Sequence, residues 1–254
     1  MTPDMLRKHM DRFYSPASTV ACFCGKFERD KIIALCKRYF SSPANKSAIP
    51  ALTKADFCPG VHIFDKKTEQ NQIVVGSPAP SLGSDSRFAC QLIASMLGGS
   101  ASSRLFRRLR EEQGLVYSVD ACASSYLSAG VFAVSMGVSR ESEKKAVLTA
   151  AEVLREFPDT VTEEELDLAR DHYLSGLIMS LESNSARATR YGTGELLLGG
   201  AISEKELEEK IRGVSIDEIR SLARSFSSLS DACICAVGKT AGAKFYNKVV
   251  SDKK

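Results

Sequence analysis

The chain has 254 residues, of which 44% are hydrophobic and 26% charged, an ordinary soluble globular composition. A formal charge of +3 leaves no basic footprint for nucleic acid, and no apolar run reaches the ~18–20 residues that span a bilayer. The opening MTPDMLRKHMDRFY lacks the apolar core of a signal peptide, and the length suits one large domain or one domain plus a fragment of another.

Residues 4–14 read as a helix with Thr2 as cap and Pro3 in its first turn. A strand over 20–24, ended by Gly25, and a helix over 30–40 follow. Residues 41–59 are rich in Pro, Ala, Ser and Lys without periodicity, the mark of a linker. Strands are predicted over 61–64 and 70–76, the latter interrupted by Pro78 and Pro80. An apolar helix over 85–97 comes next, then a strand over 131–138 and a helix over 141–157. Capping boxes, in which a hydroxyl and a Glu three residues on satisfy free N–H groups, mark helix starts at Thr162/Glu165, Ser203/Glu206 and Ser215/Glu218. The first opens a long helical run with a polar break, continuing toward Leu198. A closing strand over 232–237 ends at Gly238 before a short helix. The order helix, strand with two cysteines, Gly, helix thus occurs near both ends of the chain.

Residues 97–119, LGGSASSRLFRRLREEQGLVYSV, are the most informative stretch. The Gly-Gly step opens a helix that Ser102 or Ser103 is placed to cap. Leu105, Phe106 and Leu109 form its apolar stripe, and Gly114 suits a left-handed C-terminal cap. Val116 and Val119 then begin an extended run, so Arg110 and Tyr117 flank one rigid junction. On spacing alone the pair reads as a solvated Arg, favourable to the helix dipole by ~0.3–1 kcal/mol, beside a half-buried strand Tyr. The loop lacks G-K-[ST] and follows a helix, against a phosphate cradle. Glu111 and Glu112 follow the Arg104, Arg107, Arg108, Arg110 cluster at once, against nucleic acid.

The eight cysteines include two alternating pairs, Cys22/Cys24 and Cys233/Cys235. Each pair shares one strand face and in principle points at one ion, but neither has a C-x-x-C partner or a nearby His at zinc spacing. Buried, reduced cysteines acting as small apolar residues are expected, which implies a reducing compartment, the cytoplasm.

The R-E-x-x-G-L-x-Y pattern at Arg110–Tyr117 closely resembles the C-terminal half of the insulinase/pitrilysin zinc metallopeptidases, including the mitochondrial processing peptidase type. Further matches fall in order: Phe13-Tyr14-Ser15-Pro16, Lys67-Thr68-Glu69-Gln70, TEEELDLARDHYLSG at 162–176, Leu181-Glu182-Ser183 and Val214-Ser215. The resemblance implies an α+β fold, a mostly antiparallel sheet packed against several helices on one face. It further implies a remnant of a related first domain at 1–43, a linker at 44–60 and a complete second domain at 61–254.

In that family, the Arg grips a substrate backbone carbonyl and the Tyr donates to the oxyanion of the tetrahedral intermediate. Arg110 and Tyr117 occupy those positions. The family's H-x-x-E-H zinc motif is missing, since His9, His62 and His172 are dispersed. The resemblance therefore implies a substrate-binding half, inactive alone, that binds no metal itself. Zinc would sit in the missing N-terminal half or in a homologous partner chain, and an extended peptide would be the substrate. The alternative is a non-catalytic scaffold or regulatory subunit of the same family.

Overall fold

A computed structural model describes residues 1–40, 53 and 55–251. Most of the expected linker, residues 44–52 and 54, lies outside the described residues. The chain divides into two compact units, Met1–Thr53 with Ser175–Leu207, and Lys54–Leu174 with Glu208–Lys254.

The first unit opens with α1 (Pro3–Phe13), whose cap Thr2 accepts from the Met5 amide at 3.4 Å, as its sequence predicts. A short 3-10 turn at Pro16–Ser18 leads into residues 19–24, and α2 (Arg29–Phe40) follows. The expected strand over 20–24 makes no ladder among the described residues. Neither α1 nor α2 buries a residue.

The second unit holds the sheet. Its strands are β1 (Gly60–Phe64), β2 (Asn71–Ala79), β3 (Val116–Ser125), β4 (Gly130–Val138) and β5 (Cys233–Val237). They lie in the order β1-β5-β2-β4-β3, with β1 and β5 parallel and every other pairing antiparallel. β2 runs on through Pro78, which the sequence reading had ending it. The ladder to β5 stops at Gly76, so beyond it β2 has only β4 as neighbour and a missing N–H costs nothing on the open side.

Strand alternation sends Ile73, Val75, Phe132, Val134, Met136, Ile234 and Ala236 to one face, where all are buried. The helices are α3 (Ser86–Gly98), α4 (Glu143–Thr160), α5 (Glu163–Ser180), α6 (Asn184–Leu198), α7 (Glu204–Arg212), α8 (Ile216–Ser227) and α9 (Ala243–Ser251). Within the second unit, α3 packs on β3 and α8, α8 on α4, and α9 on β1. Phe132 of β4 stacks on Phe226 of α8 at 4.6 Å, one anchor of this core. The fold is the expected α+β arrangement of a mostly antiparallel sheet against helices. The polar break before α6 falls at Leu181-Glu182-Ser183, and Ser183 caps the new helix through the Ala186 amide at 3.4 Å.

Candidate functional site

The Gly-Gly step closes one helix where the sequence reading had it open another. Gly98 is the last residue of α3, and a Cβ there would lie 2.2 Å from the Ala121 amide nitrogen of β3. Close backbone approach, rather than a turn, demands this glycine. Nor does a serine side chain cap the next helix: Ser102 pairs with Ser100 at 2.9 Å, and the buried Ser103 hydroxyl has no partner among the described residues.

That next helix is wide. Phe106–Glu111 adopts π geometry, with the Glu112 amide donating to the Arg107 carbonyl five residues back at 2.9 Å. Such widened turns recur at functional sites because they re-aim side chains. Of the expected stripe Leu105 and Leu109 are fully buried while Phe106 is half-buried, and Gly114 ends the helix at φ 58°. The four arginines then fare differently. Arg104 grips Glu165 through two bonds of 2.7 Å and stacks on Phe157, while Arg107 and Arg108 both approach Glu112 at 3.9 Å. Arg110 has no carboxylate among the described residues; its guanidinium lies 5.1 Å over the Phe106 ring, exposed.

Burial pushes the Glu165 carboxyl up, but the Arg104 hydrogen bonds, the Thr162 amide and the Arg104 charge outweigh it and hold the group below its ordinary value. The Thr162/Glu165 capping box is reciprocal, with bonds of 3.0 and 3.3 Å.

Tyr117 owes its placement to a β-bulge. The β3–β4 register pairs Val116 with Val138 and then Ser118 with Gly137, leaving Tyr117 as the extra residue. A bulge turns its side chain out of the regular alternation, and Tyr117 is 58% exposed. Beside it, a Cβ on Gly137 would meet Ser118 Oγ at 2.9 Å, Gln70 Oε1 at 3.1 Å and Gln72 Nε2 at 3.2 Å. The corner is therefore lined with neutral hydrogen-bonding groups, which the sequence reading missed. Arg110 and Tyr117 are both exposed, and among the described residues their side chains are not hydrogen bonded to each other or to anything else. β4 lies inside the sheet, so the free edge next to Tyr117 is β3 itself.

Other features stand apart from this corner. A cleft of about 600 Å³ lined by Phe57, Pro78, Tyr126 and Val131 lies at the opposite end of the β2–β4–β3 ladder. Among the described residues no three His, Cys, Asp or Glu side chains cluster to hold a metal ion, and no helix is long and apolar enough to cross a membrane. All eight cysteines are free, but only Cys90 is buried, its thiol pushed up to about 12 by burial and then by Cys122. The alternating pairs expected to be buried are part-exposed or exposed, because alternation fixes a shared face without fixing what covers it.

A buried carboxylate was also missed. Glu143 at the start of α4 is 1% exposed and takes bonds from Asn71 Nδ2 at 2.7 Å, the Ala241 amide at 2.7 Å and the Tyr246 hydroxyl. It ties β2, α4 and α9 together. A Glu in a first helical turn gives no sequence sign of burial.

The sequence profile of the family described as Peptidase M16 inactive domain matches residues 1–173. The uncharacterized zinc protease YmxG of Bacillus subtilis is 30% identical over 222 residues, 87% of this chain and 54% of that protein. Among solved structures, a chain of complex III2 from Candida albicans aligns with a TM-score of 0.77 at 17% identity, covering 89% of this chain and 57% of that one. A protease from Helicobacter pylori aligns with a TM-score of 0.76 at 17% identity, covering 94% and 59%. The chain spans about half the length of the curated relatives it matches.

Proposed function

The chain belongs to the peptidase M16 inactive-domain family, and on that footing we propose that it is the substrate-binding, non-zinc half of a zinc-dependent endopeptidase. Its residues do not fit a zinc site: His9, His62 and His172 are dispersed and no ligand cluster forms among the described residues. The metal and the general base belong to a missing N-terminal half or a homologous zinc-carrying chain. Residues 1–43 are then a remnant of the first domain, 44–60 the linker and 61–254 the second domain, working in a reducing compartment such as the cytoplasm.

The observation that carries this reading is a pair of exposed groups at one end of the edge strand: Arg110, which has no carboxylate among the described residues, and Tyr117, turned out by the bulge. An extended peptide adds along β3, where main-chain bonds give affinity with little sequence demand. Arg110 holds a substrate backbone carbonyl and the Tyr117 hydroxyl donates a hydrogen bond to the oxyanion of the tetrahedral intermediate. A donor aimed at charge that develops only in the transition state lowers the barrier by about 3–4 kcal/mol.

Peptide hydrolysis is measured with added zinc by this chain alone, then mixed with a half carrying H-x-x-E-H. Activity is expected only in the mixture. Tyr117→Phe lowers turnover ~100–1000-fold there with peptide affinity nearly unchanged. Unchanged turnover removes Tyr117 from the chemistry. Tight association of the halves without hydrolysis makes the chain a scaffold or regulatory subunit instead.

A further inference from the structure

The open face of the sheet carries a pair of thiols, three strands from β3. On β5, Cys233 and Cys235 alternate with the buried Ile234 and Ala236, so both thiols face the open side, 4.0 Å apart. The parallel ladder sets Gly60 beside Cys233 and His62 beside Cys235. A Cβ on Gly60 would lie 3.7 Å from His62 Nε2, so the imidazole leans back along β1 over the glycine that pairs with Cys233. On the other flank β2 sets Gly76 against Cys233 and Val74 against Cys235. Cys233 thus has a glycine on each side and is itself part-exposed. Burial, then Cys235 and Cys58, push its thiol up, which puts Cys58 within electrostatic reach as well.

The spacing decides between two uses of such a pair. Two residues along a strand span ~6.6–6.8 Å, the outer limit of Cα separations for a disulfide. Closing the sulfurs to bonding distance would pull β5 from the ladders it makes on both sides. One ion asks for no such movement. At a metal–sulfur length of roughly 2.3 Å, two thiolates stand ~3.8 Å apart on a tetrahedral centre and ~4.6 Å apart when collinear. The observed 4.0 Å lies between. Zinc takes four ligands in a closed site, and no preformed cluster of three exists among the described residues. Soft thiolates instead select a soft monovalent ion such as Cu⁺.

We propose that Cys233 and Cys235 bind a single thiophilic cation of the cuprous type between their two sulfurs. Each thiol releases its proton to solvent as it binds. The site is separate from the proposed peptide-binding corner and does not depend on it.

The reduced 254-residue chain is titrated anaerobically against a coloured cuprous chelate, reading the metal withdrawn by the protein. One equivalent is expected for the parent, none for Cys233→Ser/Cys235→Ser, and one for Cys22→Ser/Cys24→Ser, whose cysteines share the spacing but not the ladder. Should the first variant fail to fold, alkylation of the parent with and without Cu⁺ reads the same point, with protection expected at Cys233 and Cys235 and not at Cys22 or Cys36. Withdrawal by the Cys233→Ser/Cys235→Ser protein overturns the proposal. So does equal alkylation of Cys233 and Cys235 with and without the ion, or zinc held in preference to Cu⁺.

Discussion

Residues 3–40 and 216–251 each run helix, a segment with two alternating cysteines, a glycine at positive φ, helix, with φ 135° at Gly25 and 132° at Gly238. In the later stretch β5 lies between β1 and β2, and Ile234 and Ala236 are fully buried. Its helices bury Ile219, Ala223, Phe226, Tyr246 and Val249. In the earlier stretch the cysteine segment forms no ladder among the described residues, Val20 and Phe23 are exposed, and the two helices bury nothing. Local sequence makes the turn and the helices in both. Neighbouring strands alone turn alternation into a strand, because backbone groups need ladder partners and apolar side chains need a surface to cover. On the proposed reading, the absent half of the peptidase supplies that surface to the earlier copy.

Core truncation separates the two copies most strongly. Ile234→Ala removes a side chain with no exposure in the central strand and is expected to cost about 3 kcal/mol, read from urea unfolding. A loss below about 1 kcal/mol would mean that β5 is not packed as a core strand.

A smaller effect is expected at a tyrosine in each closing helix. Tyr246 in α9 is buried and donates to Glu143, whereas Tyr39 in α2 is 66% exposed. Tyr246→Phe leaves Glu143 one donor short and should cost about 1–3 kcal/mol, while Tyr39→Phe changes nothing measurable. Burial, then the bond to Glu143 and its charge, push the Tyr246 phenol up. The folded state therefore keeps this proton after the unfolded chain begins to lose its own, near pH 10. The contribution is complete below that pH and falls as pH rises toward the folded value. A melting series should show this alkaline loss in the parent and not in Tyr246→Phe; the same slope in both places it on another group.

The same contrast explains what was legible. Gly114, the Leu105/Leu109 stripe, the Thr2 cap and the Thr162/Glu165 box are decided within a few residues, and all stand where the sequence put them. What depended on distant partners was not readable. The bulge at Tyr117 exists only against Val138 and Gly137, the burial of Glu143 needs Asn71 and Tyr246, and Gly98 is explained by Ala121. The choice of Arg110 among four arginines rests on Glu165 and Glu112 engaging the others. A resemblance supplied the two site residues; it said nothing of the bulge that turns one of them out.

The smallest expected effect is the most discriminating. Phe23 is 47% exposed and its ring contact is the local one with Phe27, 6.3 Å away, so Phe23→Ala should shift the stability of this chain by no more than about 0.5 kcal/mol. If the missing half provides the sheet that residues 19–24 lack, the same substitution should weaken association of the two halves, since an apolar side chain gains about 1.5–3 kcal/mol when fully covered. Amide exchange follows the same logic: fast at 19–24 in this chain alone, slowed when the zinc-carrying half is added. Protection of those amides in the isolated chain would mean that the earlier copy has already found its own ladder, and the contrast between the copies would then reflect side-chain burial alone.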